Sequence, residues 1–355
     1  MRIDQLVPAF HRGDAIGDTA FHTKEFFLAQ GFRSEIYCLT RDAGLEQNSR
    51  LFSEFAAPAP ADVTVLHFAL ASPLSQAFGD LRSRKVILYH NLTPPEFFEE
   101  FSPEMARISR LGREDLISLV PRVSLALADS EFNRRELEEV GFQETMVFPL
   151  FVDFDKYRKP MSPFLYDLFR DDRINILFVG RIVPNKRIED LIRVVFYYKK
   201  YISPLVRLIL VGKTSSLPKY YESLVSLADE FYLKPEEICF AGHLLDEEMF
   251  SLYKAADVFL SMSEHEGFGL PFIESMIFDL PVIAYDCTAV PYTLDGAGVL
   301  VRSKKVDYVA ELVAEVAHNR KLKEEIIDDQ RQRLERFRQV DHGGFLLRMI
   351  RELKK

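Results

Sequence analysis

The sequence predicts an α/β protein built as two doubly wound halves, each a parallel sheet covered by helices. Three observations carry that prediction. Short apolar runs alternate with helix-patterned stretches along nearly the whole chain, the rhythm of βαβ units. The runs are continuously apolar rather than alternating, as expected for parallel strands covered on both faces. The rhythm breaks once and then restarts, dividing 355 residues into two pieces of ordinary domain size.

In the first half, a first strand precedes GDAIGD (13–18). The segments EIYCLT (35–40), VTVLHF (63–68), KVILYH (85–90), VSLALAD (123–129) and TMVFPL (145–150) follow as buried strands. A helix over about 18–30 stops at Gly31, and EFNRRELEEVGF (131–142) reads as a helix capped by Ser130 and stopped by Gly141. Residues 151–173 mix prolines, aromatics and charges without a period and read as a linker. The second half then gives INILFVG (174–180), LVRLILVG (205–212), EICFAG (237–242), DVFLSM (257–262), PVIAYD (281–286) and GVLV (298–301) as strands. Helices over 189–200 and 246–256 lie between them, and from about 304 the chain is helical and charged, as a solvated helix face is. The implied domains are 1–165 and 166–334, with a last helix at 335–355. Two such halves joined by a linker would face each other across an interdomain cleft at the carboxyl ends of their strands, where open α/β sheets bind ligands.

Composition narrows the function. Hydrophobic residues make up 48% and charged residues 28%, the balance of a globular protein. The formal charge is 45 − 54 = −9 with no long basic run, which argues against nucleic acid as the main partner. Three scattered cysteines, Cys38, Cys239 and Cys287, without a CxxC, argue against a disulfide framework or zinc site and suit a reducing cytoplasm. The start is too short and charged for a signal peptide, and no apolar run nears the roughly 18 residues that span a bilayer.

The densest chemistry lies at 263–275, SEHEGFGLPFIES. Pro271 suits the first turn of a helix, which puts Glu266 in the preceding loop and Glu274 in the helix. Gly267 and Gly269 flank Phe268 and let backbone N–H groups approach a ligand. Carboxylates accept hydrogen bonds from sugar or ribose hydroxyls, and N–H groups at a helix start suit anionic oxygen, so a polyhydroxylated anion fits. Merely favouring a helix N-terminus is the simpler role for the same carboxylates. Glu264, His265 and Glu266 make a poor metal site because adjacent residues rarely converge on one ion.

In VGRIVPNKRIEDLI (179–192) a strand-to-helix loop carries Arg181 and Lys186, with Arg187 as a third cation. Such a pair can neutralise a diphosphate, although surface loops also carry these residues routinely. GDAIGD (13–18) follows the first strand, and Gly17 could help form an amide-lined turn over phosphate; an ordinary turn explains it equally. No GxGxxG fingerprint is present. His90, in YHNLTPPEFF (89–98), ends a strand at the edge where it would meet substrate hydroxyls or serve the structure alone. Asp153 and Asp155 form a DxD in the linker, and Gly212–Lys213–Thr214 imitates the end of a P-loop without its earlier residues.

Glu266 and Glu274, with GFGLPFI between them, resemble the E-x7-E motif of family 4 (group 1) glycosyltransferases. Arg181 and Lys186 fall where that family keeps its diphosphate-binding pair. ILVGK (209–213), residues 240–269 and PVIAYD (281–286) are similar to the family as well, strongly over 174–301 and more weakly in HNLTPPEFF and ADSEFNRREL (128–137). The resemblance implies the GT-B fold of two Rossmann-like domains, with the nucleotide sugar bound mainly on the second, the acceptor mainly on the first, and the last helix packing back on the first.

By resemblance, Glu274 would hold the donor ribose. Glu266 would sit by the transferred sugar with the amides of Phe268, Gly269 and Leu270 near its hydroxyls or the phosphate, Gly267 being part of the same loop. Arg181 and Lys186 would stabilise the departing diphosphate; His90 and the Gly17 loop would line the sugar and acceptor side; Lys213 and His243 would approach the base. Tyr292 stands where many members carry an acidic residue. The implied activity is retaining transfer, without a metal or other cofactor, from a nucleotide sugar to a saccharide or glycolipid acceptor in envelope polysaccharide synthesis. A UDP-sugar is favoured over GDP-mannose, and the site of action is the cytoplasm or inner membrane face. A non-catalytic nucleotide-sugar-binding subunit and a membrane-docked scaffold are the alternatives, the latter from Arg107, Arg110 and Arg113 beside apolar residues in 102–122. An epimerase would need a nicotinamide fingerprint that is missing.

Overall fold

The computed structural model describes residues 1–11, 13 and 15–353. They divide into two compact units, one of 1–99, 103–152 and the residues from Val340 onward, the other of 100–102 and 153–339.

The first unit contains a seven-stranded sheet of β1 (Ile3–Phe10), β2 (Ile36–Arg41), β3 (Arg50–Leu51), β4 (Val63–Phe68), β5 (Arg84–Tyr89), β6 (Leu125–Ala128) and β7 (Thr145–Val147). Every pairing is parallel, and the order is β3-β2-β1-β4-β5-β6-β7. All six residues of β4 are buried. The absence of alternation in VTVLHF therefore reflects helices on both faces. One core layer gathers Leu6, Leu66, Phe68, Leu74, Phe78 and Tyr89. The other gathers Ile3, Phe27, Val63 and Val86 with Leu346, Met349 and Ile350 of the helix His342–Glu352. Ser130 caps the helix Glu131–Val140 by accepting from the Asn133 N–H, and the Gly141 N–H closes its other end on Leu137 and Glu138.

The second unit holds six parallel strands: β8 (Ile174–Val179), β9 (Val206–Val211), β10 (Ile238–Gly242), β11 (Val258–Ser261), β12 (Val282–Tyr285) and β13 (Val299–Val301). Their order is β10-β9-β8-β11-β12-β13. The chain winds outward from β8 in one direction and from β11 in the other, so the topological switch point lies between these two neighbours. Ligands of such sheets bind outside the carboxyl ends of strands at this point.

The segment 151–173 is more structured than its mixed composition predicts. It contains a short turn of helix at Lys156–Arg158 and the helix Pro163–Leu168. Pro163 sits at the first helical position and Ser162 accepts from the Leu165 N–H. The helices Pro73–Gly79 and Pro218–Glu230 are further elements that the apolar pattern did not mark out.

Candidate functional site

The loops leaving β8 and β11 carry Arg181 and Lys186 on one side and Glu264 to Gly269 on the other. The switch point thus brings together the two densest motifs of the sequence. Lys186 Nζ lies 2.5 Å from Glu266 Oε2, with the two side chains only 14% and 11% exposed. Arg181 is exposed one residue beyond Gly180. Arg187, the third cation of the loop, faces acids instead: Glu189 at 3.2 Å and Glu264 at 3.4 Å. Lys304 joins the same network at 2.9 Å from Glu264 and 3.1 Å from Asp190, and it donates to the Met262 carbonyl. This is a network around Glu264 rather than a cation pair aimed at a ligand.

The backbone of 263–269 is tied down along its length. Asn185 O accepts from the Glu264 N–H and the Asn185 amide donates to His265 O. Thr288 Oγ1 accepts from the Glu266 N–H at 2.8 Å and donates to Glu266 O at 2.9 Å. Thr293 donates to Phe268 O. Gly269, at φ +87°, caps the helix Leu270–Ile277, and a Cβ there would lie 2.5 Å from the Phe272 ring. Only glycine fits that corner.

Glu274 is 5% exposed and each carboxylate oxygen is engaged. Tyr157 Oη donates to Oε1 at 2.9 Å and Tyr253 Oη to Oε2 at 2.8 Å. Burial and the adjacent Glu274 together push the Tyr253 phenol well above its usual range, so it stays a donor. A carboxylate has about four lone-pair sites, so two remain for further donors.

At the neighbouring strand ends, the Gly180 N–H donates to Val211 O and the Gly212 N–H to Gly242 O. Gly212 has φ +154°, and a Cβ on it would lie 1.8 Å from Gly180 O. The two loops approach as closely as backbones can. Lys213 and His243 follow them and are both exposed. The structure therefore gathers Arg181, Lys186, Lys213, His243, Glu266, Gly267, Phe268, Gly269, Leu270 and Glu274 in one unit, on the strand ends or the helix that follows.

His90 and Gly17 belong to the other unit. Gly17 lies inside the helix Ala15–Ala29, one turn earlier than the sequence start at 18; Asp14 of GDAIGD lies outside the described residues. The His90 side chain is 2% exposed, with Nδ1 3.3 Å from Asp129 Oδ2 and Nε2 3.0 Å from His67 Nδ1. The Gln5 amide donates to Ala20 O, so its oxygen faces His67 Nε2 at 2.9 Å and accepts a proton there. Burial holds the His67 ring well below its usual pKa and hence neutral. Its Nδ1 then accepts from the His90 Nε2–H. Burial also raises the Asp129 carboxyl. Both His90 nitrogens have protein partners.

Among the described residues no group of three or more His, Cys, Asp or Glu is placed to hold a metal ion. No helix of the described residues is long and apolar enough to cross a membrane. Asp153 accepts from the Asp155 N–H, so the DxD forms a local turn.

Residues 167–333 match the family model "Glycosyl transferases group 1". That segment, just under half of the chain, is similar to the group 1 glycosyl transferases. Curated relatives show the same similarity. The chain is 30% identical over 116 residues to the serotype-specific mannosyltransferase WbdA of Escherichia coli, 33% of this chain and 14% of that protein. It is 30% identical over 146 residues to the alpha-monoglucosyldiacylglycerol synthase of Acholeplasma laidlawii, 41% of this chain and 35% of that one. The match thus spans well under half the length of these relatives. Among solved structures, Anabaena HepE in complex with UDP and glucose is similar over 99% of both chains, with a TM-score of 0.75 and 18% identity. At that identity the likeness shows the fold, and it places the chain in the GT-B class expected from the sequence. In this unit, Tyr157, Tyr253, Asn185 and Thr288 escaped the sequence, because hydroxyl and amide partners 21 to 117 positions apart leave no local pattern. The repeated ending VG of β8 and β9 was the one visible signal for the Gly180–Gly212 clasp.

Proposed function

We propose that this chain is a metal-independent retaining glycosyltransferase that moves a sugar from a nucleotide sugar to a saccharide or glycolipid acceptor. The observation that carries the proposal is the Lys186–Glu266 pair at the switch point of the matched segment, with exposed Arg181 on the same loop as Lys186. Breaking a glycosyl–phosphate bond leaves negative charge on the diphosphate and develops positive charge on the sugar. Arg181 and Lys186 oppose the first change, and they gain more in the transition state than in the ground state. Glu266 serves the sugar and Glu274 the ribose; Lys213 and His243 approach the base. In front-face transfer the leaving phosphate takes the acceptor proton. His90 and Gly17 belong to the acceptor-side unit.

HepE, solved with UDP and glucose, supports a UDP-sugar as donor. The mannosyltransferase WbdA favours a second reading, mannose carried on GDP. The glucosyldiacylglycerol synthase supports a glycolipid acceptor, and we place such transfer at the inner face of a membrane. The test is thermal unfolding against a panel of UDP- and GDP-sugars, followed by transfer assays with and without chelator. A true donor at about 100 times its Kd stabilises by about 2.7 kcal/mol. Failure of every nucleotide sugar to raise the midpoint would remove the proposal, and strict metal dependence would remove its metal-free form.

A further inference from the structure

Thr288 follows β12 and has φ +42°. A β-branched residue in the left-handed region is a backbone outlier. The other described non-glycine residues at positive φ are Asn91, Arg187, Tyr232, Asp279 and Asp295, none of them β-branched. Strain of this kind persists only where surrounding contacts impose it. Here the strongest of those contacts go to Glu266. The Thr288 hydroxyl accepts from the Glu266 N–H and donates to the Glu266 carbonyl. The next residue, Ala289, donates its N–H to that carbonyl at 3.3 Å. The preceding residue, Cys287, reaches Ser263 O through its thiol at 3.0 Å. Residues 287–289 therefore run along 263–266, and one side-chain hydroxyl closes both ends of the Glu266 main chain. Lys186 fixes the far end of the same residue through its carboxylate.

We infer that Thr288 is a positioning residue for the transfer step: its strained backbone points one hydroxyl at both main-chain polar groups of Glu266 and so sets the carboxylate at the sugar. The inference rests on the role of Glu266 proposed above. A hydroxyl is the smallest side-chain group that both donates and accepts, so serine can replace threonine and valine cannot. Glycine adopts the same φ without strain but supplies no hydroxyl.

The experiment combines site-resolved amide hydrogen exchange with steady-state kinetics on full-length Thr288→Gly and Thr288→Ser. In Thr288→Gly the Glu266 amide exchanges about 5- to 10-fold faster, as expected for a lost hydrogen bond. Its kcat falls about 10- to 100-fold, the scale on which a small misplacement acts, while donor KM stays within about threefold. Its thermal midpoint changes little, because the strain relieved offsets the two hydrogen bonds lost. Thr288→Ser keeps wild-type exchange and turnover. An unchanged Glu266 amide, an undiminished kcat in Thr288→Gly, a loss confined to KM, or failure of serine to rescue would each overturn the inference. Absence of transfer by the wild-type protein would defeat the proposed function instead, and the exchange data would still decide whether the clamp exists.

Discussion

Replacing Lys186 with methionine removes one partner of a nearly buried ion pair and leaves the Glu266 carboxylate behind. Breaking a buried pair in this way costs about 3–5 kcal/mol. With Nζ and Oε2 2.5 Å apart and the side chains 14% and 11% exposed, some water reaches both groups, which puts the cost near the lower end. Glu266→Gln alone costs about 1–2 kcal/mol, since the flexible lysine stem lets its charge reach solvent. The double variant leaves two neutral side chains of similar shape and costs about 1–2 kcal/mol. The cycle therefore predicts a coupling of at least about 2 kcal/mol. Urea unfolding is followed by far-UV circular dichroism because the chain has no tryptophan. The second unit is read as its own transition where the two units separate. A coupling below about 0.5 kcal/mol would refute the view that these residues act as one electrostatic unit.

Three further outcomes follow from individual contacts. Gly212→Ala, with a Cβ 1.8 Å from Gly180 O, should destabilise the second unit by more than about 3 kcal/mol; wild-type urea resistance would contradict the clasp between the two loops. Tyr253→Phe removes a phenol donor from buried Glu274 and should cost about 1.5–3 kcal/mol in the same assay; a neutral effect would mean that Glu274 finds another donor. Asp4 is 1% exposed and burial raises its carboxyl to about 6. The native state therefore holds this proton more tightly than the unfolded chain, and stability drops as pH rises from about 4 through 6. Asp4→Asn should gain up to about 3 kcal/mol over wild type above pH 7 and nothing below about pH 4; a gain independent of pH would show that Asp4 is not the titrating group.

The fold was legible wherever a strand is buried on both faces or a helix carries its own cap. Val63–Phe68, six buried residues, and the helix between Ser130 and Gly141 were placed within a residue because local chemistry decides them. The strand Arg50–Leu51 is two exposed residues pairing at a sheet edge, and nothing apolar announces it. The helix Pro163–Leu168 has no buried residue, so its pattern carried no core stripe to find. In the candidate site, Arg181, Lys186, Glu266 and Gly269 were visible because short loops after neighbouring strands must converge at a switch point. The strained Thr288 and the two tyrosines on Glu274 were not, because their roles exist only once distant elements have packed.

The central claim is that the diphosphate of a nucleotide sugar is held by Arg181 and Lys186. Calorimetric titration of UDP, GDP and the corresponding nucleosides into wild type and the Arg181→Ala/Lys186→Ala double variant addresses it directly. The account predicts that the wild-type protein prefers one diphosphate over its nucleoside by about 100-fold or more, from two charge-assisted contacts. It predicts that the double variant loses most of that preference while still binding the nucleoside. An undiminished preference for the diphosphate in the double variant would contradict it.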